Sequence, residues 1–468
     1  MKWSLWLIVL VLSGCQFYSK IDKPTTSLNS SYLVEHQEGS YPIEDLFSKL
    51  NDPILTQLLQ EGMQANLDLQ VAVERIHQAR AQYGVKKSKL WPQVEFEAEV
   101  SRLKYSAQGV ETLSLFGASV APSSSAISDL YFTAFDASWE IDLFQKILSE
   151  KSAAFHEILA IEEMSHDVYI SLQAEIAITY FELRSNQQQV AILNAHRVTR
   201  EETASLMRER FEAGLTTGIE VDRAEADLYD LEAELPKFET DLIQNLNRLC
   251  VLLGKMPGEL NDILVTQEAQ MPQDPGLMNV EIVSDLLRRR PDVRKAEQEY
   301  IRTQYLTRSA KADLFPRFSI TGSFGFSSFS TSDLFDYKNM LWSIGPAVRW
   351  PIFKGWQIMC NIDKHKSIQK QAMLRYHDSV LKALEDVENS LVLYGNEQKR
   401  DISLHKSVTA LTQAQDASWE LYLAGLTDFN SVLDIQRRFL ISEQERIASY
   451  ESTLKALILI YKSLGGSF

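Results

Sequence analysis

Three cysteines in 468 residues cannot build a disulfide framework, although a single bridge between Cys250 and Cys360 stays open. Positive charge is also short. Lys and Arg number 47 against 63 Asp and Glu, giving a net charge of −16. That balance argues against a nucleic-acid partner despite the local run Arg288-Arg289-Arg290, and it suits a soluble or water-filled exported structure. Beyond the first dozen residues no apolar run approaches the ~20 residues a bilayer-spanning helix needs. A chain of this kind crosses a membrane, if it does so, with strands. The eight histidines are scattered, and no His-Glu-x-x-His, Gly-x-Ser-x-Gly, phosphate loop or Gly-x-Gly-x-x-Gly is present. No enzyme activity, metal or cofactor is therefore expected. Lastly, Lys146 to Ala213 contains neither glycine nor proline. Without those breakers one helix can run on far beyond the usual 8–20 residues, reaching ~100 Å.

The N-terminus carries Lys2, an apolar run from Trp3 to Leu12, and then Leu12-Ser13-Gly14-Cys15. Small residues before a cysteine resemble the lipobox of bacterial lipoproteins. The resemblance implies cleavage that leaves Cys15 as a covalently lipidated first residue, and Gln16 rather than Asp implies sorting to the outer membrane. Residues 1–14 are thus read as a lipoprotein signal peptide. Residues 15–50, rich in Ser, Thr, Tyr and Pro, are read as a lipidated extended leader.

The body says the same thing twice. Ala213-Gly214-Leu215-Thr216 returns as Ala424-Gly425-Leu426-Thr427, an offset of 211 that also relates Leu253-Gly254 to Leu464-Gly465, Val221 to Val432 and Trp139 to Trp350. Upstream the offset is 224, relating Asp68 to Asp292, Lys87 to Lys311 and Pro92 to Pro316. Residues 51–254 form a first repeat (helix, two strands, helical hairpin), 255–278 an inter-repeat linker, and 279–468 a second repeat. The change of register places the extra residues of the first repeat in the loop around 106–128.

In each repeat a stripe such as Val168, Leu172, Ile176 and Tyr180 predicts a long helix. A second helix returns after the Gly-Leu-Thr turn, over 219–253 (with a kink expected at Pro236) and 429–464. Each glycine is placed to take the left-handed conformation that ends the first helix. Thr216 and Thr427 are placed to cap the second.

Between the helices the period becomes two. Val94, Phe96, Ala98 and Val100 alternate with Glu95, Glu97 and Glu99, and Tyr131, Thr133, Phe135, Ala137 and Trp139 alternate with Phe132, Ala134, Asp136 and Ser138. In the second repeat Phe318, Ile320, Phe324 and Phe326, then Trp342, Ile344, Val348 and Trp350, alternate with small or polar residues. One strand of this kind reads equally as a half-buried soluble sheet. Four together carry the alternation of a transmembrane β-barrel. Four strands cannot close a barrel, whose smallest members have about eight, so a membrane sheet here requires several copies. Three copies give twelve strands.

At this point the chain resembles the outer-membrane efflux channels, in particular the lipoprotein branch partnered with RND pumps. The resemblance rests on Phe135-Asp136-Ala137-Ser138-Trp139-Glu140-Ile141-Asp142-Leu143-Phe144, Tyr180-Phe181-Glu182-Leu183-Arg184, Arg210-Phe211-Glu212-Ala213-Gly214-Leu215, the run from Asp285 to Arg294, Trp350-Pro351-Ile352-Phe353 and Val432-Leu433-Asp434-Ile435-Gln436-Arg437. It departs at Gln145 and at Gly355-Trp356, where glycines are usual, which leaves the strand-to-helix corners in question.

The resemblance implies a fold that is mainly α with a transmembrane β-barrel portion: long antiparallel helical hairpins forming an α-barrel, plus four strands per protomer of a shared twelve-stranded barrel. It implies a homotrimer in the bacterial outer membrane, lipid-anchored, with a tunnel into the periplasm. Its partners would be outer-membrane lipid, a periplasmic adaptor protein and an inner-membrane pump, the exit duct exporting small molecules such as drugs. Gly214, Leu215, Thr216, Gly425, Leu426 and Thr427 would dock the adaptor. Asp434 and Arg437, with Tyr422 and Asn430, would line a periplasmic gate; the local alternative is an exposed i,i+3 ion pair worth about a few tenths of a kcal/mol. Two alternative functions remain: the exit duct of a type I protein secretion system, and a non-conducting, lipid-anchored periplasmic coiled-coil scaffold.

Overall fold

The computed structural model describes residues 21–24, 42–104, 113–115, 118–120, 127–264, 270–278 and 289–466. Cys15 and the run 279–288, with Arg288, lie outside them. The first repeat supplies helices α1 (Pro53–Ala65) and α2 (Leu67–Ser88), strands β1 (Gln93–Lys104) and β2 (Ile127–Ile141), and helices α3 (Lys146–Glu212) and α4 (Gly218–Leu252). The second supplies α5 (Pro291–Ala312), strands β3 (Arg317–Ser328) and β4 (Met340–Arg349), and helices α6 (Gln357–Leu423) and α7 (Phe429–Ser463). The register found in the sequence is kept by the elements. α3 and α6 both have 67 residues and α4 and α7 both have 35, each pair displaced by 211. α4 runs unbroken through Pro236 and α6 through Gly395, so neither residue ends its helix.

By compactness the chain divides into two units, and neither is a sequence repeat. One comprises Met1–Pro24, Ile76–Ile161 and Ala296–Tyr376; the other comprises Thr25–Arg75, Glu162–Lys295 and His377–Phe468. Each draws on both repeats. The unit that holds the strands contains an antiparallel sheet in the order β1-β2-β3-β4, which among the described residues leaves β1 and β4 as open edges. Its lower corners are matched: Trp139 Nε1 donates to the Leu90 carbonyl at 3.0 Å, and Trp350 Nε1 to the Leu314 carbonyl at 3.1 Å. At both corners a residue other than glycine takes the left-handed conformation, Gln145 at φ 56° and Trp356 at φ 66°. These are the positions where the sequence departs from the expected glycines, so the corner is kept at a strain of about 1–2 kcal/mol.

The other unit contains a large buried core in which Leu46, Leu55, Ile176, Tyr180, Phe181, Leu249, Leu457 and Tyr461 meet. Asp52 accepts from the Ile54 and Leu55 amides at 2.9 and 3.0 Å and so starts α1, while its other oxygen accepts from Tyr180 Oη at 2.7 Å. Arg184, 1% exposed, donates to the same hydroxyl at 3.0 Å. Burial dominates in raising the Tyr180 pKa, which keeps the phenol protonated.

The leader ends earlier than expected: Leu46–Lys49 is helical, and Ile43, Leu46 and Leu50 are buried in this core. The inter-repeat linker also packs, burying Leu260, Leu264 and Met278. Asp274 accepts from Tyr394 Oη at 3.1 Å and from Gln398 Nε2 at 3.2 Å.

Candidate functional site: one sheet face and two helical tips

The strand register settles which residues share a face. Val94 faces Ala137, Phe96 faces Phe135, Phe135 faces Phe324, and Phe324 faces Trp342. On the opposite face Glu95 stands across from Asp136, and Asp136 from Ser323. The apolar face is left open to solvent in one chain: Phe96 is 62% exposed, Trp342 67% and Ile344 74%. A continuous aromatic and aliphatic face of this kind needs a cover. Among the described residues no helix is long and apolar enough to cross a membrane.

The two hairpin tips repeat one geometry. Gly214 and Gly425 take φ 74° and 75°, and the next amides reach back to close the helix: Leu215 N–H donates to the Arg210 carbonyl at 2.8 Å and Leu426 N–H to the Leu421 carbonyl at 2.9 Å. This is the glycine-dependent C-terminal motif expected of both turns. The expected threonine caps are displaced by one residue. Thr217 and Asp428 hold the N-cap positions, and of the two side chains Asp428 bonds, accepting from the Ser431 amide at 2.8 Å. Thr216 instead donates to Glu220. The apex residues Leu215 and Leu426 are 68% and 74% exposed.

The four predicted gate residues do not form one charge cluster. Asp434 and Arg437 are not paired with each other: Asp434 takes Arg438 at 3.0 Å, one turn on, while Arg437 Nε lies 2.5 Å from Asp227 on α4. At i,i+4 the acid and base stack on one helix face, whereas Arg437 is turned toward α4. Tyr422 is buried with Met207, Phe429 and Val432, and its hydroxyl lies 3.5 Å from Glu220. Asn430 accepts from Arg223. What unites three of the four is that each bonds α4. Arg223 is the repeat counterpart of Asp434, whereas Glu220 and Asp227 are not among the residues the sequence singles out.

Asp227 is 2% exposed and also faces Arg200 of α3, whose Nε lies 3.0 Å from the second carboxylate oxygen and whose Nη1 donates to the Asp227 carbonyl at 2.9 Å. Burial lowers the Arg200 pKa, with Asp227 opposing, while the hydrogen bond to Asp227 raises that of Arg437. Farther along, His196 Nε2 lies 2.7 Å from Glu443 of α7. The links tie α3 and α4 to α7 near the tips. Among the described residues no cluster of metal-ligating side chains occurs.

The sequence profile of the outer membrane efflux protein family matches residues 58–255 and 282–466. The chain belongs to that family.

The solvent efflux pump outer membrane protein SrpC of Pseudomonas putida is 25% identical over 98% of this chain and 97% of its own length. The structure of the outer-membrane channel OprN superposes with a TM-score of 0.81 at 27% identity, covering 96% of this chain and 98% of that one. The Campylobacter jejuni CmeC outer membrane channel, at 21% identity, shares the fold with a TM-score of 0.82 over 96% and 94%.

The protein is therefore an outer-membrane efflux channel, mainly helical, with a strand portion. Within it the motif Tyr180-Phe181-Glu182-Leu183-Arg184 builds the buried core. Arg290 of the Arg-Arg-Pro-Asp stretch, 7% exposed, donates to the Ser463 carbonyl at 3.0 Å and pairs with Asp292 and Asp386. Its repeat counterpart Asn66 donates to the Leu252 carbonyl at 2.9 Å. Those motifs hold the scaffold rather than the passage.

Proposed function

We propose that this efflux channel works as a homotrimeric exit duct, lipid-anchored through Cys15, that receives small molecules from an inner-membrane pump by way of a periplasmic adaptor. The observation that carries the reading is the sheet: an exposed apolar face together with unpaired edges at β1 and β4. Lipid does not tolerate open strand edges, so β1 of one copy must pair with β4 of the next. Three copies then close twelve strands within the range of known barrels, with Glu95, Glu97, Glu99 and Asp136 facing the water-filled interior. Organic solvents, which the SrpC name mentions, are one candidate cargo. The exposed Leu215 and Leu426 support adaptor docking at the turns of Gly214, Thr216, Gly425 and Thr427. The links from Tyr422, Asn430 and Arg437 to α4 support a gate in which the hairpins are latched to one another.

Conductance of purified trimers in planar bilayers tests the reading. Discrete channels are expected, and trimers that conduct at no voltage would favour a lipid-anchored scaffold. Deleting the protein should sensitise cells to small toxic molecules. Loss of a secreted polypeptide with unchanged sensitivity would instead make it the exit duct of a type I secretion system.

A further inference from the structure

The leader touches the body at one described place, and the contact is chemically specific. Gln304 on α5 holds the main chain of Asp22 at both ends: the Asp22 amide donates to Gln304 Oε1 at 3.1 Å, and Gln304 Nε2 donates to the Asp22 carbonyl at 2.7 Å. A side-chain amide carries one acceptor and donors in the same plane, so it can answer a backbone N–H and a backbone C=O together, whatever the residue's own side chain. Gln304 is 8% exposed, so its amide is held in place while Asp22 stays at the surface.

The next residue, Lys23, reaches Glu297 at 3.8 Å. Glu297 lies seven positions before Gln304. Asp22 and Lys23 therefore run opposite to α5.

The internal repeat supplies a control. At the offset of 224 the counterpart of Gln304 is Arg80, and that of Glu297 is Val73. An arginine has donors and no acceptor, so it cannot receive the Asp22 amide. Arg80 therefore cannot repeat the two-sided bond that Gln304 makes.

We propose that Gln304 is the docking site for the protein's own lipidated leader, strapping it to α5 at Asp22. The strap rests on the reading that Cys15 carries lipid, and the two are measured separately. Amide hydrogen exchange on full-length trimers in lipid nanodiscs reads the clamp at Asp22, and the mass of the N-terminal peptide reads acylation. Slow exchange at Asp22 is expected in the wild type. Gln304→Leu removes both bonds and should speed exchange about thirtyfold, and Gln304→Glu, which keeps only the acceptor, should speed it about fivefold. Tryptic cleavage after Lys20 should follow the same order, with trimers retained as the folding control. Asp22 exchanging at the rate of a free peptide in the wild type, or unmoved by both substitutions, overturns the clamp. An unacylated Cys15 with a protected Asp22 overturns the lipid reading and leaves a docked but unanchored leader.

Discussion

Asp227 is the residue whose loss should be felt most at the tips. It lies between Arg200 and Arg437, at 3.0 and 2.5 Å, and is 2% exposed. The Arg200 side chain is 6% exposed. Asp227→Ala would leave that guanidinium buried without its counter-charge, a situation that costs about 3–5 kcal/mol. If the hairpins part, water reaches Arg200 and most of the cost is relieved, so the substitution favours the unlatched arrangement. At about 1.4 kcal/mol per tenfold, even 3 kcal/mol shifts the balance by more than a hundredfold.

Arg437 is different, because its side chain is 52% exposed and Asp227 keeps Arg200 when it is removed. Solvent screening holds that loss to about 1 kcal/mol or less, roughly a fivefold shift. Asp434→Ala breaks an i,i+4 pair between side chains 61% and 69% exposed, worth about 0.3–0.5 kcal/mol. Open-state occupancy of single channels in bilayers should therefore rise in the order Asp434→Ala, Arg437→Ala, Asp227→Ala. If Asp434→Ala opens the channel as much as Asp227→Ala, a charge ring rather than a buried latch controls the tips.

Three further outcomes follow from local geometry. Gly325→Val should prevent the heat-resistant trimer from forming, since a Cβ there would sit 2.2 Å from the Thr133 carbonyl oxygen and 2.6 Å from Ala134 Cα, in the neighbouring strand; electrophoresis of unheated membranes reads it. Gln145→Gly should stabilise by about 0.5–1 kcal/mol by relieving a left-handed corner, visible as a raised melting temperature, although a 3.3 Å bond from Arg308 is lost. Leu215→Asn with Leu426→Asn should abolish cross-linking to the adaptor with the melting temperature unchanged, because both side chains are mostly exposed; wild-type cross-linking would remove the apices from the docking surface.

A pH dependence belongs to Asp428. The Ser431 amide, and then the Ser431 hydroxyl, hold its carboxyl below the usual carboxylate range. A depressed folded pKa means that the cap's contribution is present above the unfolded value near ~3.9 and fades as pH falls through the folded one. Asp428→Asn, which keeps an acceptor without the proton equilibrium, should flatten the low-pH arm of the melting profile.

What was readable in advance was whatever depends on a repeating interval or on one backbone conformation. Alternation along Val94–Val100 and Trp342–Val348 placed the apolar face, because neighbours across a sheet inherit the face of their own strand. Gly214 and Gly425 announced their turns because a left-handed residue favours glycine. What the sequence does not show depends on partners distant in it. The local alternative of an Asp434–Arg437 pair rests on proximity in the chain, yet Arg437 bonds Asp227, 210 positions away. The threonine caps failed by a single residue, since Thr216 and Thr217 differ little as letters and the geometry of the preceding turn chooses between them. Ile43 and Leu46 looked like part of a polar leader because their burial partners lie in other helices.

One signal for the latch was nevertheless present in the repeat. At the offset of 211, Arg223 corresponds to Asp434 and Asp227 to Arg438, so the charges are exchanged between the two hairpins. The order matters physically. An acid one turn ahead of a base suits an intrahelical pair, and the reverse order suits it less. In α7 the favourable order is used locally, Asp434 to Arg438. In α4 the unfavourable order leaves both groups available, and both reach outward, Arg223 to Asn430 and Asp227 to Arg437. Two hairpins with the same charges would offer each other like groups at equivalent positions. The exchange leaves α4 with a cation and an anion to offer α7, so each hairpin supplies one donor and one acceptor to the latch.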